Sequence, residues 1–320
     1  MSQPAGAAAA PINAIEARGL RKIYKGERGG AATLALDDID LDIPRGSFFG
    51  LLGPNGAGKS TFINIHARLV IKTAGRVTIW GHDLDTAPRQ TSLSIGVVPQ
   101  ELNLDAFFTP RELLDWQAGL YGVPRAERRT REILATVGLS DKAESYSRSL
   151  SGGMRRRLLV AKAMVHSPPV LVLDEPTAGV DVELRRQLWD NLRALNESGV
   201  TMLLTTHYLE EAEQLCDRIA IINHGRVVAC DDKAALLERL DRKSLTITVA
   251  QELDAVPEGL KPYQAELGPY GRLVFHYRPS RVRVPELLAA VEAAGLTIVD
   301  LSTEESDLED LFLELVRAPP

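Results

Sequence analysis

The sequence has few cysteines, few aromatic residues and no long apolar run. Only Cys216 and Cys230 are cysteines among 320 residues, and aromatic residues make up 5%. Neither cysteine stands in a spacing typical of metal ligands, so we expect two small reduced side chains, without a disulfide framework. No apolar stretch approaches the roughly 18 residues of a membrane-spanning helix. If the protein acts at a membrane, we expect another chain to cross it.

The sequence also lacks an excess of basic residues. The chain carries 37 Lys and Arg against 43 Asp and Glu, a formal net charge of −6. A general nucleic-acid-binding protein presents a basic surface, so this balance predicts no nucleic-acid partner. Residues 1–11 are rich in Ala, with no basic region and no long apolar core. This segment is therefore no secretory signal, and we expect a disordered tail.

What the sequence does contain is a glycine-rich loop between an apolar strand (48–52) and a helix predicted from Thr61 onward. The loop residues are Gly53, Pro54, Asn55, Gly56, Ala57, Gly58, Lys59, Ser60 and Thr61. The pattern predicts backbone N–H groups that converge on phosphates, with Lys59 at the β- and γ-phosphates and Ser60 as a ligand of Mg²⁺.

Three further predicted strands end in polar residues, namely Gln100, the pair Asp174 and Glu175, and His207. α/β sheets bind ligands at the carboxyl ends of their strands. Asp174 suits the Mg²⁺ shell, and Glu175 is placed to act as general base on the attacking water. His207 suits a hydrogen bond to a γ-phosphate. Gln100 can reach Mg²⁺ or the attacking water, although a single Gln indicates little by itself.

Two weaker signals are a second glycine motif and an aromatic residue. Ser151, Gly152 and Gly153 precede a helix that begins with three arginines. A helix N-terminus of this kind binds anions by the same physics as the first loop. Tyr24 closes the first predicted strand, where its ring either stacks on an adenine or is an ordinary strand aromatic.

Together these motifs resemble the nucleotide-binding subunits of ABC transporters. The resemblance covers residues 12–235 and rests on segments that occur in the family's order: 53–61, Gln100, 150–154, 170–175, 178–181 and His207. Met154 and the tail 308–315 are similar to the bacterial exporter branch that serves drugs, polysaccharides and lipids. The implied fold is α/β, a P-loop NTPase core with an antiparallel β subdomain and a helical insert at about 101–165. A small α+β C-terminal domain is expected at 243–320.

The resemblance also implies a mechanism. Two copies would face each other head to tail and bury two ATP molecules with Mg²⁺, each ATP between loop 53–61 of one copy and Ser151–Gly153 of the other. It implies that Tyr24 stacks on adenine and that Gln100 senses Mg²⁺. Glu175 and His207 would be the base and the γ-phosphate switch, and Asp181 would connect the two sites. The motion would drive a separate integral-membrane permease, at the cytoplasmic face of the inner membrane.

Alternatives are a soluble ATPase of the same superfamily that does not engage in transport, and an importer subunit. Segment 62–149 is too short and too broken by Gly and Pro for the coiled coil of chromosome ATPases. Met154 stands where importer subunits usually have Gln. The role of 243–320 stays open, with a dimer-stabilising or regulatory contact as our hypothesis.

Overall fold

The computed structural model of the chain describes residues 12–26, 31–178, 180, 182–238, 243–268, 271–279, 281–305 and 308–317. The predicted tail 1–11 and the site residue Asp181 lie outside the described residues. The chain divides into two compact units, with the division between Asp231 and Asp232. Among the described residues, no helix is long and apolar enough to span a bilayer.

The first unit contains ten strands and seven α-helices in the described residues. In chain order they are β1 (Asn13–Tyr24), β2 (Thr33–Pro44), β3 (Phe48–Leu52), α1 (Lys59–His66), β4 (Ala74–Ile79), β5 (His82–Asp83), α2 (Pro88–Ser94), β6 (Ile95–Val98), α3 (Pro110–Leu120), α4 (Thr130–Thr136), α5 (Gly152–Ala163), β7 (Val170–Asp174), α6 (Val182–Glu197), β8 (Thr201–Thr206), α7 (Leu209–Leu215), β9 (Arg218–Asn223) and β10 (Arg226–Asp232).

Two sheets form the framework of this unit. Strands β2, β1, β4 and β5 form a sheet in that order, with antiparallel neighbours. Its alternating residues bury one face, for example Ile15 and Ala17 on β1 and Leu41 and Ile43 on β2. The second sheet has the order β10-β9-β3-β8-β7-β6.

The second sheet sets the position of the site. Strand β3 pairs in parallel with β8 and β9, and β7 pairs in parallel with β8 and β6. Every residue of β3 and β8 is buried, as in strands covered on both faces of a parallel sheet. Because parallel strands end at the same edge, the loop after β3 and the polar residues after β6, β7 and β8 come together there.

The helical insert lies between β6 and β7. Helix α3 begins at Pro110, because Thr109 Oγ1 accepts a hydrogen bond from the Glu112 N–H and Glu112 Oε2 accepts one from the Thr109 N–H. The charged segment after Arg125 does not form one continuous helix. A 3₁₀ turn covers Arg125–Glu127, and α4 starts only at Thr130, after Arg128 Nε donates back to the Val123 carbonyl.

The second unit has its own sheet and core. Its elements in chain order are α8 (Lys233–Glu238), β11 (Lys243–Val249), β12 (Ala265–Leu267), β13 (Leu273–Tyr277), α9 (Val284–Ala293), β14 (Ile298–Glu305) and α10 (Leu308–Arg317). The sheet has the order β12-β13-β11-β14, and every pair is antiparallel. Leu245, Phe275 and Leu287 lie in its core.

The architecture confirms the predicted α/β fold class with an α+β second unit. Helix α1 begins at Lys59, two residues before the predicted start, because Gly58 with φ of 114° serves as its N-cap. Elements β5, α2, α8 and β12 are too short for periodicity to show them. Neither cysteine forms a disulfide, as expected, and Cys216 is buried.

Candidate functional site

The loop between β3 and α1 admits only glycine at two positions. A Cβ atom on Gly53 would lie 2.4 Å from the Ile222 carbonyl oxygen, and one on Gly58 would lie 2.6 Å from the Ala35 carbonyl oxygen. Gly58 also adopts a positive φ that side chains disfavour. The loop is thus packed tightly against β2 and β9, and it leads directly into the N-terminus of α1, where backbone N–H groups bind phosphates.

Lys59 is prepared for a ligand. Its side chain is 5% exposed, and Nζ donates to the carbonyl oxygens of Gly53 at 2.7 Å and Pro54 at 3.1 Å. An ammonium has three N–H donors, so one remains for a phosphate oxygen. Burial lowers the pKa of Lys59, and the nearby charges of Glu175 and Asp174 oppose that shift. A phosphate would add a counter-charge at this position.

A cleft of about 440 Å³ opens at this edge of the sheet. Nine of the predicted site residues line it: Asn55, Gly56, Gly58, Lys59, Ser60, Thr61, Gln100, Glu175 and His207. Thr33, Leu34, Ala35 and Ala178 complete the lining and were not predicted. Nothing in the alternating pattern of β2 marks its first three residues as part of a ligand cleft. Tertiary packing puts them there, since a Cβ on Gly58 would lie 2.6 Å from the Ala35 carbonyl oxygen.

Glu175 lies between the two other polar residues predicted at the strand ends, Gln100 and His207. Its Oε2 accepts a hydrogen bond from Gln100 Nε2 at 2.9 Å, and its Oε1 lies 3.0 Å from His207 Nδ1. Glu175 has φ of +44°, a left-handed conformation that costs a non-glycine residue about 1–3 kcal/mol and often occurs at functional sites. The turn after β7 therefore aims the carboxylate at the residues that follow β6 and β8.

Asp174 is the last residue of β7 and lies deeper than Glu175. Its Oδ1 accepts a hydrogen bond from Thr205 Oγ1 at 2.6 Å, which fixes the carboxylate in place. Burial raises the pKa of Asp174, and the Thr205 hydrogen bond and the Lys59 charge act against this shift. A bound cation would stabilise the charged carboxylate in the same way.

The donors at this edge fit Mg²⁺ together with a nucleotide. Protein sites for Mg²⁺ usually supply one or two carboxylates and leave the other positions to phosphates and water. Asp174 supplies a carboxylate, Ser60 a hydroxyl and Gln100 an amide oxygen, since its Nε2 is the atom that bonds to Glu175. No cluster of three or more His, Cys, Asp or Glu suited to a metal occurs in the described residues, so an all-protein metal cage is not found there.

The remaining predicted residues lie around or away from the cleft. Tyr24 is outside the lining, but its hydroxyl is 3.4 Å from Thr61 Oγ1 at the start of α1. Ser151 caps α5 by accepting from the Met154 N–H at 3.3 Å. Ser151 and Gly152 are exposed and Gly153 is buried, and none of the three lines the cleft of its own chain.

Comparisons with known proteins agree with this geometry. Residues 36–178 match the model of the family described as "ABC transporter". The daunorubicin/doxorubicin resistance ATP-binding protein DrrA of Streptomyces peucetius is 38% identical over 322 residues, which cover 97% of this chain and 94% of the relative. The Nod factor export ATP-binding protein I of Cupriavidus pinatubonensis is 38% identical over 304 residues, with 94% and 90% covered.

Solved structures show the same fold. A dimeric ATP-binding cassette in a post-hydrolysis state, bound to ADP and Pi, superimposes with a TM-score of 0.60 at 28% identity. The match covers 68% of this chain and 98% of the cassette. The two relatives named above are 38% identical to this chain over more than nine-tenths of its length. The chain therefore belongs to the ATP-binding subunits of ABC transporters, in their exporter branch.

Proposed function

We propose that Glu175 is the general base of ATP hydrolysis in this subunit, and that Gln100 and His207 position it. The observation that carries the proposal is the pair of hydrogen bonds that holds the Glu175 carboxylate between them, beside Lys59 in the cleft. Such a carboxylate can accept the proton of a water molecule that attacks the γ-phosphate. His207 is also placed to contact that phosphate, because it lines the same cleft.

Ser60, Asp174 and Gln100 are the residues we assign to Mg²⁺. Bound there, the ion would neutralise charge on the phosphate oxygens during transfer. The protein contributes the rest of the electrostatic environment through Lys59 and the loop N–H groups. Tyr24 is assigned to the adenine, since its hydroxyl contacts Thr61 beside the phosphate loop.

We propose that a second copy of the chain completes each nucleotide site. Ser151 and Gly152 form an exposed helix N-terminus that is not used in their own cleft. A partner's nucleotide phosphate suits such a position. The related cassette bound to ADP and Pi is a dimer, which supports this arrangement. Asp181, which lies outside the described residues, is the residue we assign to communication between the two sites.

The membrane partner is proposed from the relatives. One relative is named for drug resistance and another for Nod factor export, and both are ATP-binding proteins. We propose that this chain binds a separate integral-membrane permease. It would then be a peripheral protein at the cytoplasmic face of the inner membrane. Residues 12–235 would form the nucleotide-binding domain and 243–320 a domain that stabilises the dimer or regulates it.

Light scattering and capture experiments test the proposal. Glu175→Gln protein with Mg²⁺ and ATP should be dimeric, because binding is kept while hydrolysis is blocked. The same protein with ADP, and a Ser151→Arg/Glu175→Gln variant with ATP, should stay monomeric. Capture from native membranes with the trapped protein should recover a polytopic membrane protein. A monomer under all conditions would refute the paired site, and ribosomes or DNA-associated proteins in place of a permease would favour a soluble ATPase.

A further inference from the structure

Behind the cleft lies a cluster of buried polar side chains that the proposed mechanism does not use. We call it the polar cluster. It draws one residue each from α5, the turn after β7, α6, β8 and α7: Arg156, Thr177, Trp189, Thr206 and Glu211. All five are nearly or fully buried. Buried charged side chains are rare unless they are paired, so their presence requires an explanation.

Glu211 is the acidic member of the polar cluster. It is completely enclosed, and its Oε1 accepts a hydrogen bond from Trp189 Nε1 at 3.3 Å. Burial raises the pKa of Glu211, while the hydroxyls of Thr206 and Thr177 act against that rise. Within the part of the chain that the structure describes, Glu211 Oε2 and Thr177 Oγ1 have no hydrogen bond of ordinary geometry. The carboxylate is thus only partly satisfied.

Arg156 is the basic member. It is the second of three consecutive arginines, and it is 3% exposed. Its Nη1 donates to the carbonyl oxygens of Pro99 at 3.0 Å and Gln100 at 2.9 Å. The charge of Glu211 supports the protonated guanidinium against desolvation, which lowers the pKa of Arg156. The next residue, Arg157, instead bonds to the carbonyl oxygens of Val137 and Gly138 in the helical insert.

Three members of the polar cluster lie beside the segments that carry Gln100, Glu175 and His207. Arg156 holds the backbone of Gln100, whose side chain bonds to Glu175. Thr177 follows Glu175 by two residues, in the turn that the Ala178 N–H closes on the Glu175 carbonyl oxygen at 3.1 Å. Thr206 directly precedes His207, and its hydroxyl also accepts from the Tyr208 N–H at 3.0 Å. Of the three, Arg156 makes a direct hydrogen bond to a residue that contacts the general base.

We propose that Arg156 is a positioning residue, which holds the backbone of Gln100 so that the Gln100 side chain aims the Glu175 carboxylate. A buried charged side chain is weak evidence for stability, because apolar side chains of similar size often stabilise as much. Two hydrogen bonds explain the position of Arg156 instead, since they hold the carbonyl oxygens of Pro99 and Gln100. This inference rests on the proposed role of Glu175.

Single variants test the inference in the full chain. Arg156→Met should lower kcat for ATP by about tenfold to a hundredfold, the cost of a misplaced catalytic group. The Kd for ATP should stay near the wild-type value, since Arg156 does not line the cleft. Arg157→Met is the matched control, and it should leave kcat unchanged. Wild-type kcat in Arg156→Met, or an equal loss in the control, would overturn the inference.

A double variant tests the route through Gln100. Arg156→Met should add no further loss in a Gln100→Ala background if it acts through Gln100. An additive loss would refute that route.

A milder substitution keeps the inference testable if Arg156→Met does not fold. Arg156→Lys keeps the positive charge but not the planar guanidinium whose Nη1 reaches two carbonyl oxygens. It should fold and still turn over more slowly, and a wild-type kcat would count against the inference. Glu175→Gln separates the two proposals. If it is inactive while the Arg156 variants are normal, only the positioning role fails, whereas an active Glu175→Gln removes the base itself.

Discussion

Replacement of Glu175 by Gln tests the chemistry most directly. The amide has nearly the shape of the carboxylate but cannot take a proton from water. General-base catalysis contributes about 10²–10⁴ in rate, so the change should cost about 3–5 kcal/mol of transition-state stabilisation. The kcat of ATP hydrolysis should therefore fall by at least about a hundredfold.

The structure also predicts that the variant stays folded and binds ATP. Glutamine can accept the hydrogen bond that Gln100 Nε2 now donates to Glu175 Oε2. Its NH₂ group can donate to His207 Nδ1 in the tautomer that leaves that nitrogen unprotonated. Both contacts of the present arrangement thus have an amide equivalent, and one negative charge beside the bound phosphates is removed. ATP affinity should be kept or increased.

The assay pairs phosphate release at saturating Mg²⁺ and ATP with equilibrium binding of a fluorescent ATP analogue. Glu210→Gln is the matched control, because that exposed carboxylate on α7 makes only a 3.8 Å ion pair with Arg185. It should hydrolyse ATP at the wild-type rate. A near-normal kcat for Glu175→Gln would refute Glu175 as the base, and a loss of ATP binding would show that the substitution damaged the cleft.

Three further predictions concern the loop and the helix behind it. Lys59→Ala should weaken ATP binding in the fluorescence assay, since it removes the buried ammonium, and unchanged affinity would contradict the loop assignment. Gly53→Ala should lower the melting temperature and ATP affinity, because its Cβ would lie 2.4 Å from the Ile222 carbonyl oxygen. Burial lowers the pKa of His66 to about 4 from its ordinary 6.5, so below pH 6.5 only the unfolded state takes up this proton. The free energy of unfolding should therefore fall by about 3 kcal/mol between pH 6.5 and pH 4. Urea titrations with His66→Leu should show a flatter pH dependence in that window, and the same slope in both proteins would refute this.

Much of the site follows from local sequence. The phosphate loop is recognisable because Gly53, Gly58 and Lys59 occupy fixed positions between an apolar strand and a helix start. The polar residues after β6, β7 and β8 are predictable for a similar reason. Each follows an apolar run, and the ends of parallel strands share one edge of the sheet.

Contacts between residues that are distant in the sequence could not be predicted in this way. Gln100 and Glu175 are 75 residues apart, and no sequence pattern shows that their side chains meet, or that His207 bonds to the same carboxylate. Likewise, three consecutive arginines follow Met154, and only the packing of α5 shows that Arg156 is buried against the Gln100 carbonyl.

The sequence alone thus determined the longer elements, the phosphate-loop pattern and the candidates for the catalytic side chains, because these depend on short-range periodicity and backbone constraints. The tertiary structure decided which side chains touch. It turned Glu175 into the left-handed region, brought Thr33 to Ala35 of β2 to the wall of the cleft, and buried Glu211 behind it. These features depend on how strands and helices from separate parts of the chain pack, and burial and pairing of that kind leave no periodic signal in the sequence.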